Sequence, residues 1–95
     1  MALFVVIAPR NGDPIQAALS ERFPDDFYRM NDTSWVVSAS GLTSRQISDK
    51  LMITEGTSGG PNSPAAVFQL GRGYWGAYPA GLWEWMQVKV EGADA

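Results

Sequence analysis

Leu3-Phe4-Val5-Val6-Ile7 is the stretch on which the fold of this chain turns. Five apolar residues in a row, β-branched and aromatic, read as a buried strand. A strand covered on one face alone would alternate with polar residues, and this one does not. Pro9 and the pair Asn11-Gly12 end it.

Asp13-Pro14 reads as an N-cap followed by proline at the first helical position. Ile15, Ala18, Leu19 and Phe23 then fall on one helical stripe, which Pro24 closes. Asp26 to Met30 reads as a second strand and Asn31-Asp32-Thr33 as a turn. Ser34 to Ala39, around Trp35-Val36-Val37, is a third strand, so the second and third form a hairpin.

Thr43 and Gln46 have capping-box spacing, with Leu42 and Ile47 placed as a hydrophobic staple. Ile47 and Leu51 carry the stripe of this second helix, with Gly56 as its expected stop. Residues 54–64 are too polar and glycine-rich to pack a core and read as a loop. Ala65 to Leu70 is a fourth strand. The tail fits two patterns: Leu82, Trp83, Met86 and Val90 suit a helix, whereas Met86, Val88 and Val90 alternate like a strand. A helix from about Gly81 to Lys89 is the expected form, with residues 92–95 a disordered tail beyond one domain at 1–91.

The order is β-α-β-β-α-β plus a terminal element, within the α/β (α+β) class. It matches a ferredoxin-like sandwich: a four-stranded antiparallel sheet, two helices on one face, the first and third strands central. The first strand then poses a question. Its non-alternating residues require a cover on the second face, from the tryptophan-rich C-terminus or from a second subunit. A homodimer is expected.

Composition narrows the chemistry. The 95 residues suit one domain, and 45% hydrophobic with 18% charged residues is ordinary globular composition. The chain has no cysteine and no histidine, which removes disulfides, thiolate zinc sites and the commonest general base near neutral pH. Its net charge of −3 disfavours long-range attraction to nucleic acid or anionic membrane. The apolar start lacks the basic flank of a signal peptide, and no apolar run approaches the ~20 residues of a membrane span. A cytoplasmic protein without a cofactor is expected.

Each candidate place for chemistry has an ordinary structural explanation. Gly71-Arg72-Gly73-Tyr74-Trp75-Gly76 fits the dinucleotide-binding glycine pattern, yet follows the last strand instead of the first. Gly56 to Gly60 lacks the Lys-Ser/Thr of a phosphate loop. Arg72, Tyr74, Trp75, Tyr78, Trp83 and Trp85 form an aromatic cluster with a single cation. Such clusters stack on bases, but normally beside a basic groove, so packing or an interface is the better expectation. The carboxylates are scattered, and Ser38 and Ser40 have no visible activating base.

Trp35-Val36-Val37-Ser38-Ala39-Ser40, the helix ending Ile47-Ser48-Asp49-Lys50-Leu51, Ala66-Val67-Phe68 and Trp83-Glu84-Trp85-Met86 resemble small bacterial proteins, some described as SinR-like. Those proteins are related in shape to the small CRISPR-associated adaptation nuclease. The resemblance covers most of residues 1–90 and implies a ferredoxin-like fold and a dimer with stacked sheets. It also implies a metal-binding acid at the end of the first strand, where this chain has Ile7-Ala8-Pro9. Asp13 is then the only candidate metal ligand nearby.

The leading expectation is a non-enzymatic homodimeric interaction or binding module that uses the aromatic segment. A divalent-metal-dependent nuclease or nucleic-acid binder using Asp13 and Arg72 is the first alternative. A nucleotide or small-ligand binder at the glycine loops is the second.

Overall fold

The structure is a computed structural model that describes residues 2–70, 81, 82, 84–86 and 89. Along the chain run β1 (Ala2–Ile7), α1 (Asp13–Arg22), β2 (Phe27–Asn31), β3 (Ser34–Ala39), α2 (Ser44–Lys50), β4 (Thr54–Glu55), β5 (Ser58–Gly59) and β6 (Ala66–Leu70). Four strands form one sheet in the order β2-β3-β1-β6, with every neighbouring pair antiparallel. The fold is thus α+β, with β1 and β3 central and β2 and β6 at the edges.

The uninterrupted apolar run of β1 divides between two faces, as the pleat of a strand requires. Phe4 and Val6 point with Trp35, Val37 and Ala39 of β3 into one core. Ile15, Ala18 and Leu19 of α1, Phe23 at its C-cap, and Ile47 and Leu51 of the α2 region fill the same core, so both helices lie on this first face. Trp35 is fully buried at its centre, and its indole N–H donates to the Gln16 side-chain oxygen at 2.8 Å. Burying so large a ring while pairing its one polar atom leaves no desolvation cost uncompensated.

Local chemistry sets the helix ends, in two cases differently from the sequence expectation. Gly12, not Asp13, caps α1, and Asp13 belongs to the first turn. The reason is steric: a Cβ on Gly12 would sit 2.1 Å from the Asp32 carbonyl oxygen and 2.4 Å from the Trp35 ring. The chain enters α1 pressed against the β2–β3 turn, and only glycine fits there. The α2 capping box forms as expected: Gln46 N–H donates to Thr43 Oγ1 at 3.2 Å, and Thr43 N–H to Gln46 Oε1 at 2.8 Å.

The end of α2 comes six residues before Gly56. Met52 adopts φ +60°, its N–H donates to the Asp49 carbonyl, and Ile53 N–H donates to the Ser48 carbonyl. These two bonds make a Schellman motif, with methionine where glycine is usual. Residues 54–64 also hold more order than a plain loop, because β4 and β5 pair as a two-residue-per-strand hairpin. β2 begins at Phe27 and β6 at Ala66, each one residue later than expected.

Beyond β6, Gly81, Leu82, Glu84, Trp85, Met86 and Lys89 are helical, which decides helix over strand for the described part of the tail. Residues 92–95 lie outside the described residues. No helix among the described residues is long and apolar enough to cross a membrane.

Candidate functional site

The second face of the sheet is where the structure departs from a closed core. Leu3, Val5 and Ile7 of β1 share it with Val36 of β3 and Phe68 and Leu70 of β6, because Val5 pairs with Phe68 and Leu3 with Leu70. Leu82 and Met86 of the C-terminal helical segment lie over Leu3 and Val36, and all four are buried. The cover required by the first strand is therefore supplied, over this part, by the chain's own C-terminus.

Polar groups hold this cover in place. The Lys89 ammonium is 2.7 Å from Asp26 Oδ1, at the entry to β2. The same ammonium lies 5.9 Å from the centre of the Trp85 ring, which in turn packs against Tyr28 at 6.1 Å with a 46° tilt. Asp26 is partly exposed, so the ion pair contributes at most about 1 kcal/mol and serves mainly to fix orientation.

The cover is incomplete. Along β1 the second-face residues pass from buried Leu3 through half-buried Val5 to Ile7, which is 45% exposed. Across the sheet, Ala66 opposite Ile7 is exposed, and Phe68 opposite Val5 is 56% exposed. A large aromatic and a branched aliphatic side chain thus stand open on one flat surface at the β6 edge. Exposed single apolar residues are ordinary, whereas neighbouring ones on an edge are a candidate contact surface.

The residues singled out from the sequence fall into three groups. Trp85 is half-buried and packs against Tyr28. Arg72, Tyr74, Trp75, Tyr78 and Trp83 lie outside the described residues. Asp13 is 87% exposed and 3.9 Å from the Arg29 guanidinium, which also lies 3.9 Å from Asp32 and 5.7 Å from the Trp35 ring centre. Asp13 is therefore matched to a cation of its own chain. Among the described residues, no group of three or more acidic side chains is placed to hold a metal.

Two shallow grooves flank the glycine loop. One, of about 440 Å³, lies between α2 and the β4–β5 hairpin and is lined by Ser44, Arg45, Ser48, Thr54 and Ser58 among others. Its innermost hydroxyls are already engaged: Thr54 donates to the Asp49 carboxylate, and its oxygen lies 3.0 Å from Ser48 Oγ. The other, of about 410 Å³, lies between the end of β1 and residues 61–64, with Arg10 as its cation. Asn62 in that groove is committed to the Leu51 carbonyl, and Ser63 to the Gly60 carbonyl. In each groove, two of the polar lining side chains, Ser48 with Thr54 and Asn62 with Ser63, thus bond within their own chain.

Phe68 is the residue that sequence reasoning missed. The signal was present, since Ala66, Phe68 and Leu70 alternate with Val67 and Gln69 and so share one face. No family model, curated protein or solved structure matches the chain.

Proposed function

We propose that this chain is a non-enzymatic interaction module that works as a homodimer, built on a ferredoxin-like sandwich. The strand order β2-β3-β1-β6, the antiparallel neighbours and the two helices on one face support that fold. The observation that carries the function is the open half of the second face, where Phe68 and Ile7 face solvent beside a covered half. Fully burying a free phenylalanine is worth about 1.5–3 kcal/mol; Phe68, 56% exposed, has roughly half of that still to gain, and a symmetric contact counts it twice.

The nuclease alternative loses support at Asp13, which lies 3.9 Å from the Arg29 guanidinium and, among the described residues, belongs to no group of three or more acidic side chains placed to hold a metal. The small-ligand alternative would have to use grooves in which Ser48, Thr54, Asn62 and Ser63 already bond within the chain.

Sedimentation equilibrium over a wide concentration range tests the proposal. The expected mass approaches twice 10.3 kDa at high concentration. Phe68→Ser should shift the chain towards a monomer while leaving its circular dichroism unchanged. A wild-type chain that stays at 10.3 kDa throughout refutes the homodimer.

A further inference from the structure

The two edges of the sheet differ in a way that suggests how two copies meet. β2 carries Arg29 at its middle, and its register with β3 shifts between Arg29 and Asn31. A charge and a bulge are the devices by which proteins keep an edge strand from pairing with another chain. β6, Ala66-Val67-Phe68-Gln69-Leu70, has neither: it holds no charge and no proline, and it pairs with β1 in unbroken register. Among the described residues nothing pairs with its outer side.

We infer that two copies join edge to edge through β6, antiparallel about Phe68, making one continuous eight-stranded sheet. This rests on the homodimer reading above and names its geometry. The second copy is the occupant because the strand complements itself. A two-fold axis perpendicular to the sheet keeps the second faces of both copies on the same side, so only registers that pair like faces are allowed. Centring on Phe68 is the one such register that uses all five residues of β6. It sets Phe68 beside the partner copy's Phe68, and small Ala66 opposite the partner copy's large Leu70 on each side of the axis.

The charge distribution permits the same occupant. Two chains of net charge −3 repel at long range, and an uncharged strand is the contact that adds no close like-charge pair. The pairing satisfies the outward backbone groups of β6 and brings the two exposed phenylalanines into side-by-side contact in one step. A stack of the two second faces would bury Phe68 but leave the open edge unpaired.

The absence of cysteine makes single-cysteine variants clean probes. In the edge-paired dimer, Phe68→Cys places two thiols on directly opposed residues, about 4.5–5.5 Å apart between α-carbons, within reach of a disulfide. Ile7 and its counterpart are separated by three strand spacings and four residues along the strand, roughly 20 Å, so Ile7→Cys should stay uncrosslinked. Alternate amides of wild-type β6 should also exchange with deuterium about tenfold more slowly at dimeric than at monomeric concentrations.

Mild oxidation of both variants, alongside sedimentation of the wild type, separates the outcomes. Cross-linking of Phe68→Cys alone, with slowed β6 exchange, supports edge pairing. A wild-type dimer in which Ile7→Cys cross-links as readily, or in which β6 amides exchange at the monomer rate, overturns edge pairing and leaves the homodimer standing. A wild-type monomer at every concentration overturns both, and would leave the edge to a strand of some other protein.

Discussion

Phe4 and Ile7 stand three residues apart on one strand, yet Phe4 is fully buried and Ile7 is 45% exposed. The difference between them is the difference between the two faces of the sheet. The first face is closed by two helices whose apolar stripes, with the capping box of α2, are written in adjacent sequence. The second is closed over one end only, by a segment that returns from the far end of the chain. One face is finished mostly by short-range patterns; the other depends on a long-range contact and, among the described residues, ends in an unpaired edge.

The sharpest way to break the comparison is at the centre of the finished face. Trp35→Ala removes a fully buried indole, its bond to Gln16 and the ring on which Arg29 rests. The expected loss is about 3–5 kcal/mol, a large share of the stability of a chain this small. Urea unfolding followed by far-ultraviolet circular dichroism should show a chain largely unfolded without denaturant, or with a sharply lower midpoint. A loss below about 1 kcal/mol would mean that the helical face is not the stabilising core.

The second face should break differently. Leu82→Ala removes a buried side chain from the contact with Leu3 and Val36. Its expected cost is about 2–3 kcal/mol, the lower part of the usual range, because this cluster borders solvent and can partly relax. Amide exchange should quicken in the C-terminal helical segment and on β2, while α1 and α2 keep their protection. Equal loosening of α1 would show that the two faces fold as one unit.

How much of this was legible follows the same division. The β1 run announced a strand buried on two sides, and the Thr43–Gln46 spacing announced a capped helix, because each depends on residues a few positions apart. The need for a second cover was also legible, since five apolar residues cannot all face one set of helices. The α1 cap was assigned to Asp13 instead of Gly12 because the constraint on Gly12 comes from Asp32 and Trp35, twenty or so residues away. The α2 stop was misplaced because Met52, not a glycine, takes the left-handed position. Phe68 went unremarked because its exposure depends on how far the C-terminal segment reaches, which no local pattern encodes. The aromatic cluster at 72–85 drew attention instead, and its one described member, Trp85, packs against its own sheet.

Met52 offers the smallest test, and it acts on the finished face alone. Its φ of +60° is a conformation in which an L side chain crowds the following carbonyl, at a cost of roughly 1–2 kcal/mol that glycine escapes. Glycine also has more freedom to lose on folding, which takes back about half of that gain. The side chain is 41% exposed, and both Schellman hydrogen bonds are made by backbone groups that glycine keeps. Met52→Gly should therefore stabilise the chain by about 0.5–1 kcal/mol, read as a higher urea midpoint with an unchanged slope. The gain should appear as stronger protection of the last turn of α2, with exchange in the C-terminal segment unaltered. A destabilised variant would show that the Met52 side chain does more at the rim of the first core than its exposure implies, and that even the finished face draws on contacts its local rules do not state.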